Sequence, residues 1–209
     1  MITKAVFSAM LLSGAALLKE ERDRIGDIDS RFGDGDHGVT TSRIADTIEA
    51  KVAAWTDASF HDFIDDLGTA IMELGGGSAG PLYGTMIGGM AEALSDETAV
   101  DAAGLKQMLA ASRDEMFLIT KARVGDKTMM DALIPAVAAA ERAPDDVGAV
   151  LDAAAAAARA GRKETAKFRA RHGRARNYGE QTIGTVDAGA LSTSLFFRGL
   201  ADGFHKAQA

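Results

Sequence analysis

"GDIDSRFGDGDHG", residues 26–38, places Asp34 and Asp36 two residues apart, with Asp27 and Asp29 shortly before them and Gly33, Gly35 and Gly38 between and after. A turn joining two helices needs one Asp-Gly pair. This stretch has four carboxylates within ten residues. Glycines let the backbone turn those carboxylates toward one point. Hard oxygen donors of this kind suit Mg²⁺, with phosphate oxygens and water completing its octahedron. A helix starting just after would offer free N–H groups and its positive end to an anion. An Asp-rich surface turn accounts for a bare D-G-D equally well. An EF-hand does not fit: counting from Asp34, the fifth position holds no ligand and the twelfth no glutamate.

On both sides of this stretch the pattern is helical. Apolar spacing predicts eight helices, over residues 2–24, 38–54, 59–74, 80–95, 101–121, 128–142, 145–170 and 190–207. Asp57 or Ser59 can cap the third and Gly75 can stop it. The fifth follows Thr98 and Asp101, and the seventh starts at Pro144 with two aspartates. No alternating strand of five or more residues is convincing; "QTIGTV" is the nearest. The expectation is one all-α domain over residues 1–209, an antiparallel helical bundle or closed ring. One connection is long, "NYGEQTIGTVDAG" at 177–189, and long glycine-containing loops in compact helical domains are more often functional than idle. The apolar start, "MITKAVFSAMLLSGAALL", mimics a signal peptide. Val6, Met10, Ala16 and Leu17 at roughly helical spacing, continuing into "KEERDR", favour an amphipathic first helix.

Composition limits the function. A net charge of −7 argues against general nucleic-acid binding. There is no cysteine, hence no disulfide and no thiolate metal site, which suits a reducing, cytoplasmic setting. No apolar run elsewhere is long enough to predict a membrane span.

Three further glycine-marked connections could take part in chemistry. "GGGSAGPLYGT" (75–85) contains a formal G-x-G-x-x-G, but a helix precedes it where a dinucleotide fold needs a strand. What is left is a glycine turn entering a helix, with Ser78 able to donate to a phosphate. "VGDKTMMDAL" (124–133) offers Thr128 or Asp126 as a cap, and Lys127 either to a phosphate or to solvent. "RARHGRARNYGE" (169–180) is the basic cluster of an acidic chain, where arginines can answer a helix dipole or clamp phosphate. Separately each has a plain structural reading. Meeting at one end of a bundle, carboxylates, metal and a few cations make a nucleotide phosphate site. No nucleophile–base triad competes with this reading.

In order and spacing, "DSRFGDGDHG", "GGGSAGPLYGT", "GDKTMMDAL", "GRARNYGE" and "TIGTVDAGA" resemble the L subunits of dihydroxyacetone kinases, over essentially the whole chain. The resemblance implies an eight-helix closed barrel with a nucleotide, ADP or ATP, at one end. It implies that Asp29, Asp34 and Asp36 carry the catalysis by holding two Mg²⁺ ions against the phosphates. His37, Gly38, Val39 and Thr40 would contact the nucleotide, and Ser78 and Ala79 would lie along the phosphates. Thr120 and Met129 would sit near base or ribose, and Arg174, Asp187, Ala188 and Gly189 would close the site. Thr40 stands where asparagine is frequent, Ala79 where relatives have a second hydroxyl, and Ala188 replaces a common proline.

The resemblance also implies a separate K-type subunit that holds the ketose, dihydroxyacetone or a relative such as erythrulose. The phosphoryl donor is either ATP or a phosphoprotein of the phosphoenolpyruvate-dependent phosphotransferase system. Neither nucleic acid nor membrane is an expected partner, and a homodimer is left open. Two alternatives stand beside this reading. One is the nucleotide domain of a fatty-acid kinase, whose metal loop typically reads Asp-Gly-Asp-Thr-Gly, against His37 here. The other is a non-catalytic nucleotide-binding regulator.

Overall fold

The Thr3 hydroxyl accepts a hydrogen bond from the Val6 N–H and starts α1 (Lys4–Glu20). The computed structural model describes every residue except Asp57 and Gly76. The predicted first helix divides at Glu21, whose φ of −94° and ψ of 9° interrupt the helix. Its second part, α2 (Arg22–Asp29), runs on to Asp29, so this aspartate ends a helix where a loop position is expected. Next come α3 (His37–Ala54), α4 (Phe60–Met72) and α5 (Ala79–Gly88). Residues 89–93 tighten into a 3₁₀ turn, so the predicted helix over 80–95 is shorter and ends at a Gly88-Gly89 pair. Then follow α6 (Ala102–Ile119), α7 (Met130–Arg142), α8 (Val147–Glu164) and α9 (Ala188–Gln208). Ser59, Asp101 and Asp146 each accept the N–H three residues on, starting α4, α6 and α8 as their residue types anticipate. Asp57, the other candidate cap, lies outside the described residues.

Two differences from expectation have local causes. Ile2–Thr3 pairs antiparallel with Ala99–Val100, too short a ladder to leave an alternating pattern. In addition, α8 stops at Glu164, because Thr165 turns its hydroxyl back onto the Arg162 carbonyl (2.6 Å) and a 3₁₀ turn follows. Part of the predicted loop at 177–189 is 3₁₀ helix, Arg174–Thr182, kinked at Gly179.

Around the molecule, α1 packs on α3, α3 on α4, and so on in chain order through α8 and α9, and α9 packs back on α1. Among the described residues, eight helices close this ring and α2 lies beside α3. The fold is all-α, as expected. The closing seam between α1 and α9 is made by small residues: a Cβ on Gly199 would stand 2.3 Å from the Gly14 Cα, so the two backbones touch. One end of the ring is plugged by aromatics, with Trp55 stacked on Phe63 at 3.8 Å and set edge-on to Phe60 and Phe7. Among the described residues, no helix is long and apolar enough to cross a membrane.

Because neighbouring helices of the ring alternate in direction, α3, α5, α7 and α9 all begin at the same end. Asp36–His37, Ser78–Ala79, Thr128–Met129 and Asp187–Ala188 line one cavity there, of about 250 Å³.

Candidate functional site

Four helix N-termini face one cavity and bring the positive ends of four helix dipoles to it, although the Met130 and Ala190 N–H groups at α7 and α9 are already taken by the Thr128 hydroxyl and the Asp187 carboxylate. Such a place favours an anion. Opposite charge is built in beside it. Asp29, Asp34 and Asp36 bring one carboxylate oxygen each to within 4.8 Å of one another. Asp29 is fixed from two sides. The Gly35 N–H donates to its Oδ2 (2.9 Å), and Gly33 passes so close that a Cβ there would stand 2.5 Å from Oδ1. Gly35 itself has φ +76°, a conformation glycine adopts without strain.

Burial and then the negative charge of Asp34 push the Asp36 carboxyl above its ordinary value. Three carboxylates held this way lack sufficient counter-charge. The Arg174 guanidinium, 2.7 Å from Asp34, supplies part of it from the C-terminal arm. The donor set is all hard oxygen, partly exposed and open to a cavity with anion-binding character. It fits Mg²⁺ shared with phosphate oxygens.

The remaining walls are mixed. His37, at the start of α3, lies 2.9 Å through Nε2 from the Ser192 hydroxyl oxygen. That hydroxyl donates to the Gly189 carbonyl (3.0 Å), which assigns the proton to Nε2 and leaves Nδ1 as the acceptor. Burial lowers the His37 pKa, favouring neutral imidazole. Ile28, Phe32, Leu82 and Met129 give the cavity an apolar flank suited to a flat ring. Phe32 meets Tyr178 edge-on at 5.3 Å, tying the aspartate loop to the C-terminal arm. Asp187 accepts from the Ala190 N–H (2.7 Å) and so caps α9; burial raises its carboxyl to about 7.

Of the residues singled out from sequence, Asp29, Asp34, Asp36, His37, Ser78, Ala79, Lys127, Thr128, Met129, Arg174, Asp187, Ala188 and Gly189 line this cavity. Gly38, Val39, Thr40 and Thr120 do not line it. Gly38 is a packing glycine, where a Cβ would lie 2.1 Å from the Arg22 carbonyl oxygen. Val39 is 45% exposed on the outer side, and Thr40 is buried in the helix interface. The Thr120 hydroxyl accepts from the Ala122 N–H (3.1 Å), shaping the turn after α6.

Sequence reasoning gave no role to Phe32, Tyr83 and His172, although all three lie within the quoted motifs and line the cavity. It also offered Lys127 to solvent or phosphate. The side chain is instead 4% exposed and bonded to backbone carbonyls. Asp126 does not cap α7, whereas the Thr128 hydroxyl accepts the Met130 N–H (3.2 Å) that opens the helix. The Asp131 carboxylate takes the Gly125 and Thr128 N–H groups (2.6 and 2.7 Å). Asp126 faces Arg171 and His172.

Comparison with known proteins places this geometry. Residues 31–202 match the DAK2 domain family. The chain is 32% identical over 183 residues to the PEP-dependent dihydroxyacetone kinase 1, ADP-binding subunit DhaL, of Listeria innocua, covering 88% of each. It is 30% identical over 188 residues to the corresponding ADP-binding subunit DhaL of Escherichia coli K12, covering 88% of this chain and 90% of that one. Among solved structures, the dihydroxyacetone kinase from C. freundii in complex with AMP-PNP and Mg²⁺ superposes with a TM-score of 0.73, at 25% identity over 95% of this chain. The chain spans 34% of that longer protein.

Proposed function

This chain belongs to the DAK2 domain family, and from that premise we propose that it is the nucleotide-carrying phosphoryl-transfer subunit of a kinase for dihydroxyacetone or a related short ketose. The observation carrying the proposal is the meeting of three carboxylates, within 4.8 Å, and four helix N-termini in one cavity. Bulk anion binding would not need the carboxylates, and a metal site alone would not need the converging N-termini. A metal–polyphosphate pair needs both. The chain acts as a single unit over residues 1–209.

In this reading Asp29, Asp34 and Asp36 hold two Mg²⁺ ions, which neutralise charge on the phosphate oxygens. The N–H groups that open α5 and α9, with the Ser78 hydroxyl, orient the phosphates. Arg174 is placed to exchange Asp34 for a phosphate oxygen, to which its fork offers paired donors. The apolar flank of Ile28, Phe32, Leu82 and Met129 takes the base and excludes water. His37 stays neutral and offers Nδ1 as a hydrogen-bond acceptor. Phosphoryl transfer asks the protein mainly for positioning and charge, which these residues provide.

The ketose belongs on a separate K-type subunit. The Listeria innocua and Escherichia coli relatives are named as ADP-binding subunits of PEP-dependent kinases, which supports bound ADP as a resident cofactor, rephosphorylated by a phosphotransferase-system phosphoprotein, over exchange with free ATP. Calorimetric titration with ADP and ATP, each with Mg²⁺ and with EDTA, tests this. Tight, Mg-dependent ADP binding supports the resident cofactor. Weak, exchangeable binding of both nucleotides moves the reading to an ATP-dependent pair. No binding in any condition refutes the nucleotide site.

A further inference from the structure

Lys127 has the most unusual surroundings of any charged side chain near the cavity. Its backbone is left-handed, φ +60°, the one non-glycine residue so placed among the described residues. An L side chain adopts that conformation at a cost. The turn is forced by Asp131, fully buried, whose two carboxylate oxygens take the N–H groups of Gly125 and Thr128. The result drives the lysine inward. Its Nζ donates to the Thr165 carbonyl (2.6 Å) and to the Thr185 carbonyl.

Those two carbonyls belong to the end of α8 and to the loop before α9, so one ammonium joins three segments distant in sequence. The same junction is reinforced twice. The Asp187 N–H donates to the Thr165 hydroxyl (2.9 Å), and the Gly184 N–H to the Ala166 carbonyl (2.7 Å). Asp187, Ala188 and Gly189 form the cavity wall immediately after this knot. Burial lowers the lysine's pKa while Asp187 and Asp131 oppose it. A surface lysine could serve as a phosphate contact without any of this. A buried one, bonded to two loop carbonyls from a strained turn, is built to hold backbone.

We propose that Lys127 is a positioning residue: its ammonium clamps the end of α8 to the 184–187 loop and so sets the Asp187–Gly189 wall of the nucleotide cavity. The inference rests on the nucleotide-site reading above for its functional consequence, and on the hydrogen bonds alone for its structural one.

The test uses the full chain in five forms: wild type, Lys127→Met, Thr165→Val, the two substitutions combined, and Lys127→Cys alkylated with 2-bromoethylamine. Because the chain has no cysteine of its own, alkylation in denaturant followed by refolding returns an ammonium to this position alone. Amide exchange on ligand-free protein is read first. Lys127→Met is expected to lose protection at residues 184–190 and retain it in α1 and α4, and the alkylated variant to recover it. Mg·ADP affinity should fall roughly ten- to a hundredfold in Lys127→Met, the size of effect that a slightly displaced site carries, and recover with the ammonium. Thr165→Val removes the second tie and should loosen the same amides, with no additional loss when combined with Lys127→Met.

Unchanged exchange at 184–190, no recovery on alkylation, or additive losses overturns the clamp. If Lys127→Met does not fold, Thr165→Val carries the decision by the same amides. Wild type that fails to bind ADP refutes the nucleotide reading while the exchange arm still judges the clamp. Wild type that binds and a Lys127→Met variant that binds equally well refutes the positioning role alone.

Discussion

Replacing Asp36 by asparagine should stabilise the ligand-free protein and weaken the nucleotide complex, two effects of opposite sign from one atom exchange. Asp36 precedes α3 but makes no side-chain capping bond, so asparagine removes charge without removing a cap. Its carboxyl sits with those of Asp29 and Asp34 inside 4.8 Å. At that distance two unit charges repel by about 0.9 kcal/mol in water and about 3.5 kcal/mol at an effective dielectric of about 20. Asp34 is 38% exposed and paired with Arg174, which screens the repulsion toward the lower figure. A net gain of about 1 kcal/mol follows, or roughly 2–4 °C in Tm for a chain of this size. With Mg·ADP the sign reverses. A metal ligand is lost, and a tenfold or greater loss of affinity removes about 1.4 kcal/mol of ligand-induced stabilisation per factor of ten. Thermal melts of wild type and variant, in EDTA and in saturating Mg·ADP, read both effects. A variant that melts lower in EDTA refutes the charge-crowding argument. One that keeps the full Mg·ADP shift refutes the assignment of Asp36 as a ligand.

Four further outcomes follow from the same geometry. Gly33→Ala puts a methyl 2.5 Å from Asp29 Oδ1 and 2.9 Å from the Asp29 carbonyl oxygen, so Asp29 must shift, and titration should show weakened Mg·ADP binding. Arg174→Ala should cost no more than about 1 kcal/mol of stability, as exposed pairs do, yet slow phosphoryl transfer measurably when assayed with a K-type partner. Gly199→Ala forces a Cβ to 2.3 Å from the Gly14 Cα, and denaturant unfolding should show a loss of about 1–3 kcal/mol from overpacking the α1–α9 seam. The Asp187 carboxyl is raised in the folded state from 3.8 to about 7, so its contribution to stability is present below pH 4 and is lost as pH rises to 7. Asparagine keeps a capping oxygen and removes that titration, so Asp187→Asn should show a smaller fall in stability over this window in ligand-free urea titrations; an undiminished fall would assign the pH dependence to other groups.

The parts legible from sequence are those whose cause is local. Ser59, Asp101 and Asp146 mark helix starts because a cap bonds the N–H three residues on, inside its own turn. The aspartate loop is legible for a related reason: its three carboxylates, Asp29, Asp34 and Asp36, lie within eight residues of each other, so spacing alone suggests one site. The α1–α2 break at Glu21 was not legible, because the apolar period runs through it and only the packing of α2 against α3 turns the chain. Gly38 illustrates a subtler failure. It sits in the motif beside His37, yet its lack of a Cβ serves the approach of α3 to the Arg22 carbonyl, a contact sixteen residues away in sequence.

Lys127 marks where sequence reading stops and why. Everything that gives the residue its role is remote from it: the Thr165 carbonyl lies 38 residues on and the Thr185 carbonyl 58. Backbone acceptors leave no signature in side-chain chemistry, since any residue type has the same carbonyl. A local reading therefore sees only a lysine after a Gly-Asp turn and offers it to phosphate or solvent. The alternating ring makes the difference. By returning the starts of α7 and α9 and the end of α8 to one end of the molecule, it converts a turn lysine into a buried tie, and it does so at the same place where it gathers four helix N-termini around three carboxylates. Site and support thus have one origin, the direction alternation of eight helices. A change that disturbs the tie should accordingly be felt at the cavity wall before it is felt in the core.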